Sequence, residues 1–198
     1  ILEAHTDLPV VESFSRGAFT LFVGSSWQPD EDFIIPYFNK HPEMKMVLAP
    51  HEISEDRISG ILTGLKRPVV RYTKTTPEEA VEADCLILDC YGILSKSYRF
   101  ATVAYVGGGF GVGIHNINEA AVYGIPVVFG PKYGKFKEAR DLIALEGAFT
   151  VSGGDEYALV MNRLLSDGEY LKTHGEIAGG YIRDNLGATR RIYDAIFK

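Results

Sequence analysis

Ala101 to Pro131 reads ATVAYVGGGFGVGIHNINEAAVYGIPVVFGP, and the order of residue types in it decides the fold. Val103 to Val106 is an apolar run of strand length. Five glycines follow within seven residues, Gly107 to Gly113. His115, Asn116 and Glu119 come next, then a small-residue helix through Ala120 and Ala121 that Gly124 closes. Pro126 to Phe129 reads as the next strand. In an open α/β sheet, a strand, a loop of exposed backbone, a helix start and a second strand make the place where a phosphate-bearing ligand binds.

The same alternation extends in both directions. Upstream, Phe19 to Val23 is a short apolar strand that ends in Gly24-Ser25-Ser26-Trp27. Asp30 to Asn39 carries Phe33, Ile34, Tyr37 and Phe38 at helical spacing, with Pro36 as a candidate kink. Met44 to Leu48 is a second strand, ending at Ala49-Pro50-His51-Glu52. Ser54 caps a helix that runs to Thr63, and Gly64 stops it. Pro68 to Tyr72 is a third strand. Thr76 and Glu79 form a capping-box pattern for a short helix. Asp84 to Leu88 is a fourth strand, ending at Asp89, and Tyr91-Gly92-Ile93-Leu94 opens the next helical segment. Downstream, Lys135 to Glu146 reads as a helix and Ala148 to Val151 as a candidate further edge strand. From Asp155 the pattern is helical, with breaks expected near Gly168, Gly179-Gly180 and Gly187. Residues 1 to 17 show no clear period and read as a lead-in or linker to a domain spanning 18 to 198.

Short strands alternating with helices predict an α/β fold with a doubly wound, parallel, Rossmann-like sheet of six strands, followed by C-terminal helices. Right-handed crossovers favour the strand order 3-2-1-4-5-6, which makes the first and fourth strands neighbours. The loops carrying Ser25, Ser26, Asp89 and Gly92 and the glycine run then converge on one crevice.

Composition narrows the function. The 198 residues are 46% hydrophobic and 23% charged, with a net charge of −6 and no dense Lys/Arg stripe, which argues against nucleic acid as a partner. No apolar run approaches the roughly 18 residues of a membrane helix, and the first residues do not read as a signal peptide. Cys85 and Cys90 lack a second pair, so they make a poor zinc site and fit reduced thiols in a cytoplasmic compartment. No strict GxGxxG follows the first strand, and no Walker A lysine pattern is present. Nicotinamide, flavin and P-loop chemistry lose ground. A nucleotide held at the C-terminal edge of the sheet remains.

The run GGGFGVGIHNINEAAVYGIPVVFGP, with Lys135-Phe136-Lys137-Glu138-Ala139 after it, resembles the donor-site signature of the Kdo transferases, the 3-deoxy-D-manno-oct-2-ulosonic acid transferases of lipopolysaccharide synthesis. Gly24-Ser25-Ser26, His51 and Asp89-Cys90-Tyr91-Gly92-Ile93-Leu94 agree with it in order and spacing, so the resemblance covers roughly residues 19 to 147. It implies the donor-binding half of a two-domain GT-B glycosyltransferase. The implied donor is CMP-Kdo, the acceptor a lipid A precursor, and the reaction inverting, with no metal and no cofactor. The family's N-terminal half carries the acceptor surface, the membrane-associating segment and the general base. The expectation is therefore that no catalytic residue lies in this chain, that it is soluble and inactive alone, and that the full-length protein sits at the cytoplasmic face of the inner membrane. Three departures stand out. Trp27 follows the serine pair where the family has histidine and small residues. Pro50 precedes His51 in place of arginine. The HN-Pro-Leu-E form is His115-Asn116-Ile117-Asn118-Glu119 here.

The resemblance implies a donor site made of Ser25, Ser26, His51, Gly92, Ile93, Gly107, Gly108, Gly109, His115, Asn116, Glu119 and Lys135. Each has an ordinary structural reading beside it. Glu119 can accept from both ribose hydroxyls or simply answer a helix N-terminus. Asn116 is a ligand contact or the N-cap with Glu119 as capping-box partner. His115 donates to phosphate or packs, and His51 lies near the base pocket. The three glycines admit a phosphate or make a tight turn. The serines bind phosphate or cap the next helix. Lys135, with Lys132 and Lys137, neutralises an anion or is a solvated surface charge, and Trp27 stacks at the cleft or packs inside it. A donor domain for a UDP-sugar transferase or epimerase, and a non-catalytic α/β module, are the alternatives.

Overall fold

The computed structural model describes residues 7–186. In chain order the elements begin with α1 (Pro9–Ser15), β1 (Phe19–Ser26), α2 (Gln28–Phe38), β2 (Met44–Pro50), α3 (Glu55–Gly64), β3 (Val69–Arg71), α4 (Pro77–Val81) and β4 (Cys85–Ile87). They continue with α5 (Leu94–Ser97), β5 (Val103–Val106), α6 (Asn118–Ala121), β6 (Val127–Phe129), α7 (Lys137–Ala144), β7 (Ala148–Thr150), α8 (Gly154–Ser166) and α9 (Gly168–Asn185).

All strand pairings are parallel, and alternate residues feed two cores. Phe22, Val47, Ala104 and Val127 belong to one, with residues of α1, α4, α6, α7 and α9. Leu21, Val23, Met46, Val103 and Tyr105 belong to the other, with residues of α2, α3 and α8. A strand stretch buried on both faces must be apolar, which is why β5, Leu21–Val23 of β1 and Met46–Ala49 of β2 read as apolar runs.

Among the described residues the sheet has seven strands in the order β3-β4-β2-β1-β5-β6-β7, which corrects both the count of six and the order 3-2-1-4-5-6. Ala148–Thr150 is the seventh strand and forms an edge. The fourth strand does not neighbour the first; it inserts between β2 and β3. Burial gives the reason: β4 is buried at all three positions and β3 is half-buried at all three, so the more apolar segment takes the interior place. The strand beside β1 on its other side is β5, whose C-terminal end carries the glycine loop. The switch point therefore lies between β1 and β5.

The local signals are present at Ser54, whose hydroxyl accepts from Arg57 N, and at the Thr76–Glu79 capping box. Pro36 sits inside α2 without ending it. The lead-in contains α1, which buries Val10, Val11 and Phe14 in the domain core. The break expected at Gly179-Gly180 is absent, because α9 runs through it. A Cβ at Gly175 would lie 2.4 Å from Gly124 O, and one at Gly179 would lie 2.9 Å from Gly124 Cα. These glycines let α9 lie against the turn after α6. The break expected near Gly187 falls outside the described residues.

Candidate functional site

The site begins where β1 and β5 end side by side. Gly24 is in register with Val106, and Gly107 N donates to Gly24 O at 2.9 Å. A Cβ on Gly107 would lie 2.3 Å from Ser25 O, and one on Gly109 would lie 2.5 Å from Gly130 Cα. The first glycine lets the loop touch the end of β1, and the second lets it touch the end of β6. Ser25 has a positive φ of 53° beside a register shift in the β1–β2 pairing. A non-glycine residue held there is strained, and such strain clusters at ligand sites.

Beneath this crest two carboxylates are buried. Asp30 accepts from Trp27 N at 2.9 Å, from the Tyr105 hydroxyl at 2.7 Å and from Gly108 N at 3.2 Å. It thus ties β5 and the glycine loop to the first turn of α2. Burial, with the Asp30 charge beside it, pushes the Tyr105 phenol far above its ordinary range. Glu31 accepts from the Ser26 hydroxyl at 2.7 Å and pairs with Arg57. Both carboxylates are engaged in structure.

Above them stands an aromatic stack. The Trp27 ring lies on His51 with centroids 4.4 Å apart, and His51 lies on His115 at 4.8 Å. Trp27 Nε1 donates to His115 Nε2 at 3.4 Å. His51 N donates to Ser26 O, which places the loop after β2 against the end of β1. Burial, then the neighbouring His51, hold the His115 imidazole below the usual histidine range, and Asp30 pulls the other way.

Two cavities meet at this stack. The first, about 370 Å³, is lined by Ser25 and His51, by Leu88 to Gly92 of the loop after β4 (Asp89 apart), and by Leu94 and His115. The second, about 460 Å³, lies under Trp27 and the glycine loop, from Gly108 to Gly113, and again includes His51 and His115. Among the described residues, no Asp or Glu lines either one. In a chain of net charge −6, a crevice that no described carboxylate lines suits an anionic ligand.

The twelve residues expected at the site separate on this geometry. Ser25, His51, Gly92, Gly108 and His115 line the cavities. Ser26 is buried with its hydroxyl on Glu31. Gly107 and Gly109 make backbone contacts that hold the loop. Ile93 packs against the core, with its carbonyl accepting from the Ser97 hydroxyl at 2.8 Å. Asn116 is not the N-cap of α6, because Ile117 takes that position. Its Oδ1 instead accepts from Asn118 N at 3.2 Å, and its Nδ2 donates to Glu119 Oε1 at 3.1 Å. The short side chain closes a local turn and orients Glu119, and the helix starts one residue later. The phenol of Tyr98 is raised far above its ordinary range by burial and by Glu119, which places the Glu119 charge near a ring that packs on Gly24. Lys135 Nζ donates to Val112 O at 3.2 Å, and Lys132 Nζ to Gly111 O at 2.8 Å, so both brace the glycine loop from outside. Asp30 escapes a reading of the sequence, since its position at a helix start resembles that of any first-turn acid. Cys90 and Tyr91 escape it as lining residues.

Asp89 supports the crevice from behind. Its carboxylate accepts from Arg71 Nε at 2.8 Å, from Thr73 N at 2.9 Å and from the Thr73 hydroxyl at 2.6 Å. Burial alone would raise its pKa, but the Thr73 donors and Arg71 outweigh it and hold it below the usual carboxylate range. A depressed folded-state pKa contributes stability that is complete above the unfolded value of about 4 and is lost as pH falls through the folded value. Asp89→Asn is expected to cost about 2 kcal/mol at pH 7. Urea unfolding of both proteins should show that difference constant above about pH 5 and shrinking below about pH 4.

Among the described residues, no group of three or more His, Cys, Asp or Glu side chains could hold a metal ion. None of their helices is long and apolar enough to cross a membrane. Both cysteines are free thiols.

No family model matches the chain. A 3-deoxy-D-manno-octulosonic acid transferase of Aquifex aeolicus is 30% identical over 176 residues, 84% of this chain and 48% of the relative. The enzyme of the same name from Bordetella pertussis is 30% identical over 158 residues, 78% of this chain and 37% of the relative. The chain thus spans half or less of the length of these relatives. Among solved structures, the C-terminal CMP-Kdo binding domain of WaaA from Acinetobacter baumannii superposes with a TM-score of 0.73 at 22% identity, covering 84% of this chain and 90% of that one. Anabaena Alr3699/HepE in complex with UDP-glucose gives 0.67 at 14% identity, covering 96% and 53%. At these identities the structures share the fold. The sequence relatives carry the identification: the chain is a homologue of the 3-deoxy-D-manno-octulosonic acid transferases, matched across most of its own length.

Proposed function

We propose that this chain is the donor-binding half of a Kdo transferase, a metal-independent, inverting glycosyltransferase, and that its crevice holds CMP-Kdo. The observation that carries this reading is the meeting of two cavities, about 370 and 460 Å³, at His51 and His115. A nucleotide sugar is a two-lobed ligand with an anionic joint. In this reading the nucleoside fills the cavity between the loops after β2 and β4. The phosphate rests over the histidine pair, and the sugar acid lies under the glycine loop. Glu119, held by Asn116 and outside the lining of both cavities, would turn toward the bound nucleoside to accept from the ribose hydroxyls.

Negative charge grows on the phosphate as CMP leaves. Preorganised N–H groups and imidazoles at that point would stabilise it. Among the described residues no carboxylate lines the cavities, and this reading assigns the general base and the lipid A precursor site to the part of the relatives outside the matched region.

Calorimetric titration tests the ribose role. CMP is expected to bind the chain, and Glu119→Ala is expected to weaken binding roughly 30-fold, the equivalent of about 2 kcal/mol for a charge-assisted contact. Equal affinity in the two proteins would remove Glu119 from the site. Preference for UMP would move the protein to the UDP-sugar class.

A further inference from the structure

We propose that Trp27 and Asp30 are positioning residues for His115, and that His115 takes up one proton from solvent when the phosphate-bearing ligand enters. This rests on the donor-site reading above. An indole Nε1 can only donate, so the nitrogen it faces, His115 Nε2 at 3.4 Å, must present its lone pair. That fixes His115 as the neutral tautomer with its hydrogen on Nδ1. A proton on Nε2 would set two N–H groups against each other. Charging His115 therefore requires the indole of Trp27, which is 37% exposed, to turn away.

The groups that face His115 from each packed element all bear on its charge. His51, on the loop after β2, stacks on it at 4.8 Å and would repel a second cation. Asp30, in α2, favours the cation, and it is tied through Gly108 to the loop against which His115 packs. Cys90, on the loop after β4, carries a thiol that burial and Asp89 push up, so it adds no charge. Lys135, after β6, braces Val112 on the far side of the same loop. Without ligand, burial and His51 prevail, and the imidazole stays neutral. A phosphate over the pair supplies the missing counter-charge. Protonated Nε2 then donates to it, and Trp27 is displaced from its acceptor.

The probe is the methyl ester of CMP, a phosphodiester that does not titrate near neutrality. Calorimetry at pH 7 in buffers of different ionisation enthalpy should show uptake approaching one proton per ligand bound. Affinity should rise by up to roughly tenfold per unit as pH falls from 8 to 6. Nitrogen-15 spectra of the histidines in the ligand-free chain should show His115 unprotonated at Nε2. Trp27→Phe keeps the ring on His51 and removes the donor. It should mix the His115 tautomers, keep the proton uptake, and tighten binding of the probe several-fold, because the hydrogen bond broken on binding is gone, while leaving the unfolding midpoint in place, a pattern that a packing role would not give. As the only tryptophan in the chain, Trp27 should also change its emission as the probe binds. Binding of the probe without proton uptake, or His115 protonated at Nε2 in the free chain, would overturn this proposal and leave the donor site standing. No binding at any pH would overturn both.

Discussion

Gly107→Ala is expected to cost about 3 kcal/mol of stability and to abolish measurable CMP binding. The added methyl would stand 2.3 Å from Ser25 O and 2.8 Å from both Ser25 C and Ser26 Cα, all backbone atoms of the neighbouring strand end. A side chain can rotate away from such a clash; two paired strands cannot. Relief would require the β1–β5 junction to open, and that junction floors the crevice. Gly60→Ala is the matched control. Gly60 lies inside α3, and a methyl there would meet nothing within 4 Å, so the substitution should raise stability by about 0.5–1 kcal/mol through helix propensity. Urea denaturation followed by circular dichroism measures both. If Gly107→Ala behaved like Gly60→Ala, the close contact of the glycine loop with β1 would not be what shapes the site.

Asp30→Ala is the second large effect, about 3–4 kcal/mol. The carboxylate satisfies the Tyr105 hydroxyl and the amides of Trp27 and Gly108. Its removal strands buried donors and frees the loop at once. Asp30→Asn keeps the volume and one acceptor, so it should recover about half of the lost stability. Chemical denaturation would register both values. The loop should also loosen. Amide exchange at Gly108 to Gly113 should quicken in Asp30→Ala before that of the β5 core, because the clamp holds the loop more directly than it holds the sheet.

Much of the fold was legible because a parallel sheet leaves a simple trace. Strands buried on both faces must be apolar throughout, and the turns between elements carried capping residues such as Ser54 and Thr76. Strand order was not legible, since nothing local to β3 or β4 states which one lies beside β2. The clue was there in composition: Cys85 to Ile87 is wholly apolar, whereas Val69 to Arg71 ends in a charge. The glycines of α9 misled for a related reason. Sequence shows that Gly179 has no side chain, but only the packing shows that its absence admits Gly124 and does not break the helix.

The candidate site divides the same way. The glycine run, His51 and His115 could be found because each follows a strand at the carboxyl edge of the sheet, where the topology gathers loops. Asp30 could not, because its partners Tyr105 and Gly108 lie more than seventy residues away. Trp27 stands out in the sequence as a departure from the resembled pattern, yet its contact with His115 spans 88 residues and needs the fold to appear.

On this account the crevice between β1 and β5 is a cytidine nucleotide site. Chemical-shift mapping of the nitrogen-15-labelled chain with CMP, repeated with UMP and AMP, tests it most directly. CMP should bind more tightly than the other two. Its shifts should fall on both cavities at once, at Ser25, His51, Gly92, Gly108 to Gly113 and His115, and at Glu119. Shifts confined to the separate groove around Tyr133 and Arg140, or no shifts with any nucleotide, would contradict it.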